Sequence, residues 1–165
     1  MAWFATADET LPSFEGWLQH RPELRELYKR FYGAPWDGGL VPRDLLELCR
    51  VRIAQLHTCE AELAVSDSGA GLSDEQRSAI DGWERAACFT AVQRCALALA
   101  EKMPWRHHEI DDAEFAEARR HLTDPQIVAL TVAMALFDAN CRLRLVFDLA
   151  PSPSEAVPSA GGPLH

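Results

Sequence analysis

Uninterrupted apolar stretches are short in this chain. None approaches the ~18 residues that cross a bilayer core as a helix, so no membrane segment is expected. The opening residues, Met1 to Glu9, lack both a basic region and a long apolar segment, which argues against a signal peptide. Cysteine is present without a framework: five residues at irregular spacings fit a reduced, cytoplasmic protein better than a secreted one. Positive charge is outweighed. The net charge of −9 disfavours nucleic acid, whose affinity rests on neutralising phosphates. Metal-ligand spacing is missing as well, because His107 and His108 are adjacent and His121 stands apart. No i, i+4 histidine pair shares a helix face, and no cysteine pair accompanies them. Neither a metal nor another cofactor is expected. Alternating strand patterns and short solenoid repeats are absent too.

What remains is helical periodicity. The chain has 165 residues, 48% of them apolar, enough for one domain with a real core. Pro22 to Tyr32 places Leu24, Leu27, Tyr28 and Phe31 at helical spacing behind a first-turn proline. Trp36-Asp37-Gly38-Gly39 reads as a turn. Pro42 opens a second helix carrying Leu45, Leu48, Cys49, Ile53 and Leu56. Ser73 with Gln76, Thr90 with Gln93 and Asp111 with Glu114 mark further helix starts. Asp124-Pro125 begins a last helix whose Ile127 to Phe137 stretch is apolar on every side. Such a helix is expected to be buried all round, inside the domain or between subunits. The fold class expected is all-α. Residues 1–39 form an N-terminal helical extension packed with a helical domain at 40–149, and residues 150–165, rich in Pro, Ser, Ala and Gly, a disordered tail.

From Leu40 the chain runs Val41-Pro42-Arg43-Asp44-Leu45-Leu46-Glu47-Leu48, and later Cys59-Glu60-Ala61-Glu62-Leu63-Ala64-Val65-Ser66. This frame resembles the carboxymuconolactone decarboxylase and alkylhydroperoxidase-D (AhpD-like) superfamily, in which a helix opened by Pro-Arg runs into Cys-x-x-Cys-x-x-x-His. Gly71 to Arg77, Trp83, Phe89 to Glu101, and Leu122 to Thr131 ending in Asn140-Cys141-Arg142-Leu143 are similar to later landmarks of that family, in the same order. The resemblance implies an AhpD-like helical domain, a homo-oligomer (trimer or hexamer), and a pocket for a small organic substrate near subunit contacts. It also exposes a loss. Cys59 stands where the first thiol is expected, but Glu62 replaces the second and Ser66 replaces the histidine.

Two thiols one helical turn apart exchange between dithiol and disulfide, and attack requires a thiolate. Cys59 keeps one sulfur without its local partner. Cys49, ten residues earlier, is about 15 Å away along a continuous helix and out of disulfide reach. Cys88, Cys95 and Cys141 lie on apolar faces and read as buried, inert thiols. With Thr58 as an N-cap, Cys59 would sit in a first helical turn, where the dipole lowers a thiol pKa and neighbouring Glu60 and Glu62 oppose that. Cys59 is therefore either reactive or an inherited packing residue.

Glu47 matches the family's upstream glutamate. On one straight helix it lies about 18 Å from Cys59, so contact requires a break near His57-Thr58. Glu62, if it faces the same pocket, would join Glu47 and His57 as an acid–base group; its bland alternative is a solvated surface glutamate. Ser66 is a hydrogen-bonding substrate contact with no general base in view. Asp138 and Arg142, at i and i+4, form a structural pair, or leave Arg142 to bind a substrate carboxylate.

Three functions follow. One is a carboxymuconolactone decarboxylase-like enzyme using acid–base chemistry (decarboxylation, isomerisation, cyclisation or a lyase step), the reading favoured by the sequence. The others are a peroxidase or redox protein working through Cys59, and a non-catalytic ligand-binding or assembly member.

Overall fold

A computed structural model describes residues 5–67, 69–152 and 155–158. The order of elements is α1 (Ser13–Leu18), α2 (Pro22–Asp37), α3 (Arg43–Leu56), α4 (Glu60–Leu63), α5 (Asp74–Ala79), α6 (Ala91–Lys102), α7 (Asp112–Ala118) and α8 (Asp124–Val146), with 3₁₀ turns at Ile80–Gly82 and His107–Glu109. Among the described residues there is no strand, only an isolated bridge between Ser66 and Ala156. The chain is all-α.

Helix α3 is the axis of the packing. Leu45, Leu46, Leu48, Cys49, Ile53 and Ala54 are all buried, facing α6 on one side and α8 on the other. The α8 contribution is Ile127, Leu130, Ala133, Met134, Phe137 and Cys141. A second cluster of Leu48, Ile80, Phe89 and Leu97 joins the far side of α3 to the segment carrying Trp83. Starts are chemically marked: Ser73, Thr90 and Asp111 each close a reciprocal capping box on α5, α6 and α7. On α8 the Gln126 side chain accepts from the Thr123 N–H at 2.9 Å.

Helix α2 outruns the expected turn. It continues through Pro35 to Asp37, and Gly39 (φ 62°) makes the turn instead. Tertiary packing overrides the local signal, because Trp36 is drawn into the core with its ring 5.7 Å from that of Phe137. Ahead of it, the segment from Ala5 to Asp8 lies against α1. A side chain at Gly16 would collide there with the Asp8 carbonyl and the Thr6 hydroxyl, so the close approach requires glycine.

Two expectations change. Helix α8 is not buried all round inside the domain: Val128, Val132, Leu143 and Val146 are exposed on the single chain, which leaves the other form of that expectation, burial between subunits. With Leu24, Leu27 and Phe31 on α2 and Leu40 just beyond it, they leave apolar surface that the domain itself does not cover. By length and composition α8 is also the one described helix able to cross a membrane, although no single run in it is uninterrupted. The tail is not wholly disordered. Ser66 N–H donates to Glu155 O (3.2 Å), Val157 N–H donates to Ser66 O (3.3 Å), and the buried Glu155 carboxylate accepts two hydrogen bonds from Arg144, at 3.1 and 2.5 Å. A charge that must be neutralised below the surface outweighs the flexible composition. Residues 153, 154 and 159–165 of that tail lie outside the described residues.

Replacing Glu155 by Ala removes one partner from a buried ion pair, while Glu62 and the Phe14 ring stay beside Arg144. The expected cost is about 3 kcal/mol, the low end for such a deletion. For a chain of this size that is a fall of roughly 6–12 °C in thermal midpoint by calorimetry; an unchanged midpoint would show that the tail does not dock.

Candidate functional site

The chain breaks where α3 ends. Thr58 adopts a left-handed conformation (φ 52°), so α4 sets off in a new direction and brings Glu62 back over the middle of α3. Arg50 is the receptor. Its Nε and Nη2 donate to the two Glu47 oxygens at 2.8 and 2.9 Å. Its Nη1 donates to the Glu62 carbonyl (2.6 Å) and to Glu62 Oε1 (3.3 Å), and Nη2 also reaches Val65 O (2.8 Å). Burial alone would disfavour the Arg50 charge; the Glu47 hydrogen bonds and the two carboxylates overcome it and hold its pKa above the ordinary arginine value.

Glu62 is enclosed just as fully. Tyr32 OH donates to Oε1 (3.1 Å) and Asn140 Nδ2 to Oε2 (2.5 Å). Arg144 Nε stands 2.8 Å from Oε2, a charge contact rather than a hydrogen bond, since that N–H is not directed at the oxygen. Burial, then the Glu62 charge, raises the Tyr32 hydroxyl well above its usual pKa, keeping it a donor. Arg144 stacks on Phe14, 4.6 Å from the ring centroid. Glu47 and Glu62 thus come together, as the sequence anticipated, but as counter-ions of arginines and not as a free carboxylate pair.

His57 does not join them. Its Nε2 donates to Asp138 Oδ1 (2.6 Å), and its ring lies 4.6 Å from that of half-exposed Trp105. Arg142 Nε donates to the other Asp138 oxygen (2.9 Å) and Nη2 to Pro104 O (3.1 Å). The expected Asp138–Arg142 pair is present, and it occupies Arg142. The expected Glu47–Glu62–His57 group is not assembled, because His57 is held by Asp138 on α8, while Glu62 is held by Arg50 on α3 and by Asn140 and Arg144 on α8. Ser66 is exposed and spends its backbone groups on the bridge to the tail. Arg50, Arg144, Glu155, Tyr32 and Asn140 were not singled out from sequence. The available signal was a charge set inside an apolar run, as Arg144 is between Leu143 and Leu145.

Cys59 is itself the N-cap of α4, in place of Thr58. It is 1% exposed and lines a cavity of about 890 Å³. Trp17, Leu11, Leu145 and Leu149 supply apolar wall, and Arg144 and Glu60 polar groups. As a thiol, Cys59 donates weakly to Cys141 O at 3.9 Å. As a thiolate it would accept from the Cys141 thiol, the main reason its pKa lies below the ordinary thiol value; burial and the Glu62 charge oppose this, and the Glu62 N–H and Arg144 assist. The Cys141 thiol is raised by the same hydrogen bond, with burial adding to it. Cys49 is also raised, by burial, and its thiol faces Ala96 O at 3.6 Å. Among the described residues no cluster of His, Cys, Asp and Glu is arranged to hold a metal ion.

Solved structures share this arrangement of helices. A protein of unknown function from Agrobacterium tumefaciens, provisionally named as the antioxidant defence protein AhpD, superposes with a TM-score of 0.73 at 18% identity, over 90% of this chain and 99% of that one. The fold is AhpD-like. A second AhpD-like structure, the alkylhydroperoxidase AhpD core of an uncharacterized peroxidase-related protein from Ralstonia eutropha JMP134, gives 0.66 at 20% identity over 93% of this chain and 83% of that one. No family model and no curated protein matches the chain.

Within this AhpD-like frame the lowered Cys59 pKa has a direct readout. Alkylation of Cys59 by iodoacetamide, followed by peptide mass mapping across pH, is expected to reach half-maximal rate below about 8.5, the ordinary cysteine value. Cys141→Ala removes the main hydrogen bond to the thiolate and shifts that midpoint upward. A midpoint at or above the ordinary value in the unsubstituted protein would show that the sulfur is only a packing residue.

Proposed function

We propose that this chain is a thiol-dependent redox protein in which Cys59 reduces a small hydroperoxide admitted through the cavity beside it. One observation carries the reading: the sulfur poised toward thiolate is also the one that lines a ligand-sized cavity. Thiolates attack the terminal peroxide oxygen, and susceptibility follows thiolate character and access. The AhpD-like fold, and the peroxidase-related and antioxidant names attached to its structural neighbours, are consistent with it by analogy alone. The acid–base reading has weaker support, since its carboxylates are enclosed by Arg50, Arg144, Tyr32 and Asn140 and its histidine is elsewhere. Neither reading calls for a metal or another cofactor, and a reducing, cytoplasmic setting suits free thiols.

The reading includes self-association as a trimer or hexamer, supported by the bare apolar faces of α2 and α8. Native mass spectrometry is expected to give a multiple of three chains, with Phe31→Glu lowering it; a monomer at all concentrations removes this part of the proposal.

Purified protein is expected to consume tert-butyl hydroperoxide with dithiothreitol as reductant, and Cys59→Ser to bring the rate to background. Glu47→Gln, by contrast, is expected to act mainly through stability, at a cost of about 3–5 kcal/mol for breaking a buried pair. Full peroxide turnover in Cys59→Ser would remove the reading, and a bell-shaped pH profile abolished by Glu47→Gln would restore the acid–base one.

A further inference from the structure

We infer that Cys141, on α8, is the resolving thiol of Cys59, so that the chain holds its redox pair across two helices instead of one turn apart. The inference rests on the thiol reading of Cys59. The position one turn beyond Cys59 belongs to Glu62, whose side chain points to Arg50, Tyr32, Asn140 and Arg144. The place beside the sulfur is taken from the opposite side. Cys59 Sγ lies 3.9 Å from Cys141 O, so residue 141 stands directly against that sulfur, and each thiol shifts the titration of the other.

Roles divide by position relative to the cavity. Cys59 lines the cavity, whereas Cys141 is fully buried behind it and absent from the lining. An oxidant entering from the cavity meets Cys59 first. The remaining cysteines are placed otherwise: Cys49 faces the Ala96 carbonyl and interacts with Cys95, between α3 and α6.

The sequence of bonds is balanced. The Cys59 thiolate attacks the terminal oxygen of the hydroperoxide, the O–O bond breaks, and the leaving alkoxide takes up a proton as the alcohol, giving the Cys59 sulfenic acid. The Cys141 sulfur then attacks the Cys59 sulfur, the S–O bond breaks, and hydroxide leaves as water with the Cys141 proton. Oxidation of Cys59 also removes the thiolate acceptor that held that proton in place. Two thiols are oxidised as one peroxide is reduced, and an external dithiol regenerates the pair by exchange.

The test uses the full chain, reduced and then treated with tert-butyl hydroperoxide, followed by non-reducing peptide mapping. A Cys59–Cys141 disulfide, with two thiols lost per peroxide, is the expected result. In Cys141→Ser, and in Cys141→Ala as a second variant should the first fold poorly, Cys59 is expected to lose one thiol and accumulate a dimedone-trappable sulfenic acid. A stable sulfenic acid in the unsubstituted protein, or a disulfide to Cys49, Cys88 or Cys95, overturns the role of Cys141 while leaving the reactivity of Cys59 intact. If peroxide leaves Cys59 untouched but diamide links Cys59 to Cys141, the pairing stands and the peroxide chemistry fails. If peroxide leaves Cys59 untouched and diamide forms no bond to Cys141, both fail.

Discussion

Arg50 holds this domain together at its centre. A guanidinium that is 1% exposed, bidentate to Glu47 and bonded to both the side chain and backbone of Glu62, fixes the return of the chain after α3. No apolar contact could do this with the same directional definition, because the planar fork sets both distance and angle. The wider network adds Arg144 and Glu155, with half-exposed Arg77 reaching Glu47 at 3.5 Å. Three carboxylates and three guanidinium groups balance. Buried pairs of this kind add little net stability against an apolar replacement. What they define is register: any other path for α4 would strand a charge.

That constraint explains the fate of the position after Cys59. A carboxylate one turn beyond the first cysteine looks like a retuned reactive group when only the sequence is in view. In the fold it is the anchor of α4. Because Glu62 is pulled inward by two arginines, Cys59 is left at the helix start, facing the cavity on one side and α8 on the other. The glutamate one turn beyond Cys59 thus sets the path of α4 that leaves Cys59 Sγ against residue 141 of α8.

Much of the fold was legible from local chemistry. Capping pairs such as Ser73 with Gln76 and Thr90 with Gln93 act within four residues, so sequence alone can identify them. The break at Thr58 enters the sequence reading only as a condition for Glu47 to reach Cys59; the left-handed residue makes the break, and it serves to bring Glu62 to Arg50 instead. Trp36 misled, because a Trp-Asp-Gly-Gly run is a turn signal locally, while ring packing against Phe137 is a long-range effect. The site was less readable for the same reason. Spacing cannot say that Asn140 and Arg144 reach Glu62 from α8, or that His57 turns toward Asp138. Cys141 was read as inert because burial on an apolar helix face is all that periodicity reports; its neighbour across the gap is a tertiary fact.

The bridge from Ser66 to Ala156 also has a temporal side. During synthesis α3, α4 and most of the helical core precede the segment that carries Glu155, and domains fold as their residues emerge. Until that segment is free to dock, Arg144 faces Glu62 with one carboxylate fewer, in a core that tolerates uncompensated charge poorly. The segment that follows the last helix therefore finishes the electrostatic closure of a domain whose helices precede it in the chain. Docking of that segment, rather than completion of the helices, is the step at which this interior becomes fully native.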